Sequence, residues 1–392
     1  MRHVYLDHNA TTPVHPEVRK AAEPYLDALY GNPSSIHWAG REVRKGVEDA
    51  RERIAAFFRC QPLEVVLTGS GTEGDNLAIK GVALREGNSG GHIVTSRVEH
   101  PAVTNTCRHL EKRGFRVTYV PVNRHGIVEP DSVRQALAAD TILVSIMSAN
   151  NETGSIMPIP EIGRIVREAG ILMHTDAVQA AGKVPIDWKT LPVDMLTFSG
   201  HKINALKGAG GLIVRKGIDL EPVIHGGHQE RGRRGGTENV AGIIAMGKAF
   251  ELLRAGMSEE VAETRRLRDR FEIELFRRIP ELVLNGHPTE RLPNTVNVSF
   301  RFVEGEALLL NLDMLGVACS SGSACTSGSL EPSTVLLAMG ADPTDAQGAL
   351  RFSFGMGNTD EDVEYALNAI EQVVGKLRAM SPLYNAREAR AR

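Results

Sequence analysis

The chain of 392 residues carries 45 basic and 48 acidic side chains, a formal charge of -3, and 42% hydrophobic residues. That is apolar material for a large core or for two or three domains, and the balanced charge argues against general attraction to nucleic acid or anionic membrane. No apolar run approaches the ~18 residues of a membrane span, MRHVYLDHNATT lacks the apolar stretch of a secretory leader, and the cysteines (Cys60, Cys107, Cys319, Cys325) are too sparse for a disulfide framework, so cytosolic small-molecule chemistry is expected.

From about residue 60 to 216 the apolar runs EVVLT, HIVTS, RVTYVPV, TILVSIM, ILMHT, DMLTF and GGLIVR recur, most of them separated by segments long enough for a helix. This alternation predicts a mainly parallel sheet covered on both faces, with ligands bound outside the strand C-termini. GSGTEG, residues 69 to 74, follows EVVLT and opens a helix at DNLAIKGVAL. It matches G-x-G-x-x-G, but a dinucleotide site also needs an acidic residue at the end of the next strand, and HIVTSRVEH ends otherwise. The N–H groups of such a helix start still make an anion site, to which Thr72 adds a hydroxyl. His100 follows HIVTS and precedes Pro101, where an imidazole either stacks on a cofactor ring or caps the next helix. Asn150 and Asn151, after TILVSIMSA, lie at another strand end, where turn propensity alone accounts for them.

Two further strand ends carry the clearest chemistry. HTDAVQ places Asp176 after one apolar run, and TFSGHK places Lys202 after another, 26 residues later. A lysine able to form a Schiff base beside a carboxylate able to pair with a pyridinium nitrogen is what pyridoxal phosphate requires. Ser199 and His201 are candidate donors to its phosphate. The arginine-rich RGRRGGTEN reads as a loop, because a chain of balanced charge offers no nucleic-acid face.

After Gly236 the pattern changes. A long helix over about 240–278 leads into NTVNVSF, whose alternating Val296, Val298 and Phe300 predict a half-buried antiparallel strand of a second, smaller domain. CSSGSACTSGSLEPS, residues 319 to 333, is expected to be an exposed, mobile loop with a reachable thiol at Cys325. A thiol near pKa 8.5 is only a few per cent ionised at neutral pH, so a nucleophilic role needs a proton acceptor, and His100 is one candidate. Cys319 is expected to be buried, Cys60 and Cys107 to be structural, and neither the cysteine spacing nor HGGH at 225–228 makes a metal site. Arg351, in ALRFSFG, is a carboxylate clamp or a structural ion pair.

Taken together, YLDHNATTPVHPEV, YGNPSSIHWAGR, TEGDNLAIKG, VEHPAV, ANNETG, HTDAVQ, SGHK, RRGGTENVAG, SSGSACTSGSLEPS and LRFSFG resemble the cysteine desulfurases of the NifS/IscS type, from Tyr5 to about Tyr384. The resemblance implies an α/β fold of the aspartate aminotransferase-like, fold type I pyridoxal phosphate enzymes. Residues 15–250 would form the large cofactor-binding domain, and 1–14 with 251–392 a smaller α+β domain carrying the cysteine loop. It implies that Lys202 bonds the cofactor, Asp176 pairs with the ring nitrogen, Gln179 contacts the ring oxygen and His100 stacks on the ring. Gly71, Thr72, Ser199 and His201 would hold the phosphate, and Thr237 would reach it from the other subunit of a homodimer. Asn151 and Arg351 would face the L-cysteine substrate. Cys325 would carry sulfur as a persulfide, in a setting like the long-loop branch, for delivery to an iron-sulfur scaffold or another acceptor. Housekeeping members continue past an SPLW-like segment with a scaffold-docking tail, whereas here SPLY is followed by NAREARAR. Transamination and selenocysteine lysis use the same fold and cofactor, and a sulfur carrier would use the loop thiol alone.

Overall fold

The structure, a computed structural model, describes residues 2–85, 88, 90–321, 332–382, 384, 385 and 387. Seven strands form the main sheet: β2 (Val65–Thr68), β3 (His92–Ser96), β4 (Arg116–Val120), β5 (Thr141–Ser145), β6 (Leu172–Asp176), β7 (Met195–Ser199) and β8 (Gly210–Val214), preceded in the chain by the short β1 (Val4–Tyr5). Their spatial order is β2-β8-β7-β6-β5-β3-β4, parallel throughout except for β8. The parallel strands therefore end on one edge, where all the polar motifs emerge.

Strand periodicity explains the two-sided burial. Val65, Leu67, Val94, Val144, Leu196, Phe198 and Ile213 enter the core on one face. Their neighbours Val66, Ile93, Leu143, Met195, Leu212 and Val214 enter the core on the other. Successive side chains point to opposite faces, so continuous apolar runs fill both layers.

The helices of this part are α1 (Pro16–Ala22), α2 (Trp38–Phe58), α3 (Gly71–Ala83), α4 (Pro101–Glu111), α5 (Pro130–Ala136) and α6 (Ile159–Glu168). The glycine motif and the helix overlap more than the sequence suggested, since α3 begins at Gly71 with Ser70 as its N-cap. The long α7 (Val240–Arg278) follows. Its first turns place Ile243, Met246, Phe250 and Leu253 in the large core, and its last turns place Leu267, Phe271 and Leu275 in a second core.

That second core is built on β9 (Leu282–Asn285), β10 (Thr295–Phe300) and β12 (Ala349–Ser353), an antiparallel sheet with β10 at its centre. β11 (Val317–Ala318) pairs with β1. The accompanying helices are α8 (Gly305–Met314), α9 (Thr334–Ala338), α10 (Pro343–Gln347) and α11 (Asp360–Met380). β10 corrects the expectation of a half-buried strand, because all six of its residues are buried. Val296, Val298 and Phe300 face the small core, while Thr295 accepts from Asn9 Nδ2 (2.8 Å) and Asn297 Nδ2 donates to the Glu152 carbonyl (3.1 Å). The polar face is covered by the N-terminal segment and by a loop of the large sheet. Among the described residues, no helix is long and apolar enough to cross a membrane.

Candidate active site

A cavity of about 320 Å³ opens at the C-terminal edge of the main sheet. It collects Gly71, Thr72, His100, Asn151, Asp176, Gln179, Ser199, His201, Lys202 and Arg351, ten of the residues singled out in the sequence. Asp176 ends β6, and Lys202 closes the 3₁₀ turn Gly200–Lys202 that follows β7. The Asp176–Thr197 register makes the two strand ends neighbours.

Asp176 is buried, and the Val178 N–H donates to its Oδ1 (2.8 Å). Burial raises its pKa, while His100, that N–H and Lys202 oppose the rise by favouring the carboxylate. His100 meets the capping reading. Its Nδ1 accepts from the Ala102 N–H (3.1 Å), capping α4, and the ring lines the cavity. Burial lowers its pKa, and with Nδ1 as acceptor the neutral ring carries its proton on Nε2. His201 is likewise pushed down to about 4, by burial first and by Lys202 next.

The anion-binding end is formed by the start of α3. Ser70 Oγ accepts from the Glu73 N–H (3.1 Å), which fixes the first turn with Gly71 and Thr72 on the cavity wall. A Cβ at Gly71 would lie 2.7 Å from Val178 Cγ2 and 3.3 Å from Ser199 Cβ, so the wall here needs glycine. Ser199 Oγ and Gln179 Oε1 are buried without a protein partner. Buried polar atoms ordinarily have one, so both await a ligand. A helix N-terminus with an adjacent hydroxyl and His201, facing a lysine and a carboxylate, fits the phosphate, aldehyde and ring nitrogen of pyridoxal phosphate.

Lys202 Nζ donates to the carbonyls of Asn9 (2.5 Å) and Ala10 (2.7 Å). Gln179 Nε2 also donates to the Asn9 carbonyl (2.9 Å), and an amide nitrogen carries a second hydrogen. Arg351, on β12, reaches the cavity from the small sheet. Its Nη2 pairs with Asp7 (2.7 Å), its Nη1 donates to the Asn151 carbonyl (2.9 Å), and its buried Nε has no protein partner. The structure shows the ion-pair reading of Arg351, with the residue also lining the cavity. Asn150, beside it, accepts from the Glu152 and Thr153 N–H groups (2.9 Å each), a turn role.

Thr237, also singled out in the sequence, does not line this cavity. It is exposed, and Cys325 lies outside the described residues. The described flanks of the cysteine segment are held beside the site: Ser320 and Arg351 exchange backbone hydrogen bonds (3.1 and 2.6 Å), and Ser333 Oγ donates to Glu152 (2.5 Å). Cys319, expected to be buried, is half-buried just past the end of β11, packed against the small core. Cys107 is buried, and burial pushes it and Cys60 up to about 12, which makes both poor nucleophiles.

The sequence reading missed Asp7, Asn9, Asp75 and Glu99. YLDHNATT was quoted without roles for its residues, and only tertiary packing brings that segment 193 positions along the chain to Lys202. Asp75 is buried on α3, with both carboxylate oxygens unpartnered and one 3.6 Å from His174 Nε2. Burial, then Asp176, raise its pKa well above the usual range.

The aminotransferase class-V family profile matches residues 4–366. The chain is 51% identical over 381 residues to cysteine desulfurase IscS of Dictyoglomus turgidum, covering 97% of each. It is 50% identical over 382 residues to the cysteine desulfurase of Trichormus azollae, covering 97% of this chain and 95% of the relative. Among solved structures, a NifS-like protein superposes with a TM-score of 0.90 at 38% identity, over 95% of this chain and 100% of that one. A structure described as SspA in complex with cysteine superposes with a TM-score of 0.80 at 34% identity, over 90% of this chain and 99% of that one.

Proposed function

This chain belongs to the aminotransferase class-V family and is a pyridoxal phosphate-dependent cysteine desulfurase, and we propose that Lys202, Asp176, His100, Arg351 and Cys325 carry its conversion of L-cysteine to L-alanine. The observation that supports these roles best is the single cavity in which Asp176 and Lys202 stand at adjacent strand ends opposite the start of α3. When bound, pyridoxal phosphate supplies an electron sink for the carbanion formed at the substrate α-carbon.

Each protein group has a task there. Asp176 as the carboxylate would hold the proton on the ring nitrogen, burial opposing its charge and the Val178 N–H and Lys202 favouring it. Gly71, Thr72, Ser199 and His201 bind the phosphate, Gln179 the ring oxygen, and His100 packs on the ring. Arg351 and Asn151 grip the substrate carboxylate, which places the Cα proton before the Lys202 amine. Cys325 as thiolate attacks the substrate sulfur: an S–S bond forms, the C–S bond breaks, and the released carbon takes a proton, leaving alanine and a persulfide. With its proton on Nε2 and Nδ1 engaged by the Ala102 N–H, His100 would donate to the Cys325 thiolate rather than take the thiol proton.

The same reading makes the enzyme a homodimer in which Thr237 completes the partner's phosphate site, and makes an iron-sulfur scaffold or another sulfur acceptor its transient partner. It also divides the chain into a cofactor-binding domain of residues 15–250 and a smaller one of 1–14 with 251–392. The test is alanine production from L-cysteine, with reductant, by wild type and Cys325→Ser, with Lys202→Ala as the control that loses the absorbance of the bound cofactor. Alanine from wild type alone is expected. Equal alanine from Cys325→Ser would mean a lyase route without this thiol, and none from wild type would mean another substrate or a carrier.

A further inference from the structure

Lys202 is the shared wall of two cavities, since it also lines a smaller one of about 40 Å³ with His8, Thr12, Lys183, Glu260 and Asn294. A site that holds a water needs roughly 10–15 Å³ and two to four polar partners, and this one has both. Burial is graded along it. His8 is 2% exposed, and its Nδ1 is buried without a protein partner. Lys183 is half-buried and donates to the Gln179 carbonyl (3.2 Å), while Glu260, on α7, is exposed.

The geometry points to a water-filled proton channel from Lys202 to solvent, running through Lys183 to Glu260, with Lys183 as a positioning residue for proton exchange at Lys202. This rests on the reading of Lys202 as the base that takes the Cα proton. The groups facing Lys183 are Lys202, His8, His201 and Glu260, and His15 stands beside Glu260. Burial and then Lys202 push the Lys183 ammonium well below the usual lysine range, and burial holds His8 neutral, so an amine able to accept a proton stands beside the one that must lose it. In the step, an N–H bond of the Lys202 ammonium breaks toward a channel water. That water gives one of its own protons to the Lys183 amine, the resulting ammonium gives a proton to the Glu260 carboxylate, and the carboxyl group releases it to bulk solvent. One positive charge moves outward and no electrons are transferred.

Deuterium entry from D2O into the Cα position of L-alanine, followed by NMR on holoenzyme, isolates this step because it needs neither sulfur nor Cys325. Lys183→Met is expected to slow entry about tenfold, the scale of a one-unit pKa mismatch, with thermal midpoint and cofactor absorbance unchanged. Lys183→Arg should be as slow as Lys183→Met, because a guanidinium stays protonated and cannot accept the proton. Glu260→Gln, at an exposed site that does not threaten folding, should slow entry as well. A high-resolution crystal structure of the cofactor-free enzyme should show ordered water between His8 Nδ1 and Lys183 Nζ. Wild-type entry rates in both Lys183→Met and Glu260→Gln, or a dry cavity, would overturn the channel. Absence of entry in cofactor-loaded wild type would instead overturn the reading of Lys202 as the base.

Discussion

Three carboxyl groups lie buried within reach of one another beneath the cavity, and they cannot all be ionised in so dry a place. Burial raises all three, and Lys202 favours the charged form of Asp176. Glu99 takes a hydrogen bond from Ser96 Oγ (2.5 Å) and faces the Met147 N–H with both oxygens (3.1 Å), yet burial still pushes it up to about 8. Its neutral form, with that of Asp75, leaves Asp176 as the carboxylate of the three. Between the unfolded value near 4.3 and about 8, the folded protein binds more protons at Glu99 than the unfolded chain, so stability falls as pH rises through that window and flattens above it. Glu99→Gln should remove that part of the slope and gain on the order of a few kcal/mol relative to wild type at pH 8.5. Urea midpoints from pH 5 to 9 give the answer, and parallel curves for the two proteins would mean that Glu99 is not the titrating group.

At the level of elements, the segment that carries Thr237 is held by charge. Glu230 and Arg231 have φ of 45° and 59°, a left-handed backbone that non-glycine residues avoid, and they persist because the surroundings fix them. Glu230 is buried and takes two hydrogen bonds from Arg51 of α2 (2.8 and 2.7 Å) and one from the Leu67 N–H (2.9 Å). Arg234 pairs with Glu73 (2.9 Å) in the first turn of α3, joining the segment to the proposed phosphate site. Arg51→Met would strand the Glu230 carboxylate, and removal of one partner of a buried pair costs about 3–5 kcal/mol. A matching fall in denaturation midpoint is expected, with partial recovery in Arg51→Met/Glu230→Gln. A midpoint within 1 kcal/mol of wild type would show that the pair does not hold the segment.

At the level of the molecule, Thr237 is exposed and does not line its own chain's cavity, and its proposed role is in the partner's site. Thr237→Ala homodimers should retain cofactor poorly on dialysis and turn over slowly. Mixing Thr237→Ala with Lys202→Ala protomers creates a hybrid site that has both Lys202 and Thr237, so activity should return toward half of wild type. No recovery in verified mixed dimers would remove the cross-subunit role. Two cores meet along α7, and the cavity lies where the main sheet's edge faces Arg351 of the small sheet.

Local patterns in the chain determined a good deal. Apolar runs of strand length announced the main sheet, and residues placed just after them, Asp176, Lys202, His100 and the Gly71–Thr72 turn, had to emerge on one edge once the strands ran parallel. The alternation in NTVNVSF gave the correct inward face of β10. Tertiary structure alone decided the rest, because those contacts join parts of the chain that no local period connects. It covered the polar face of β10, brought Asn9 and Ala10 to Lys202, turned Arg351 into both an ion-pair partner and a cavity residue, and raised Asp75 and Glu99 out of the carboxylate range by burying them together. Hydropathy and spacing record which residues leave water. They do not record which buried polar groups will face one another, and at this site that pairing sets the charge.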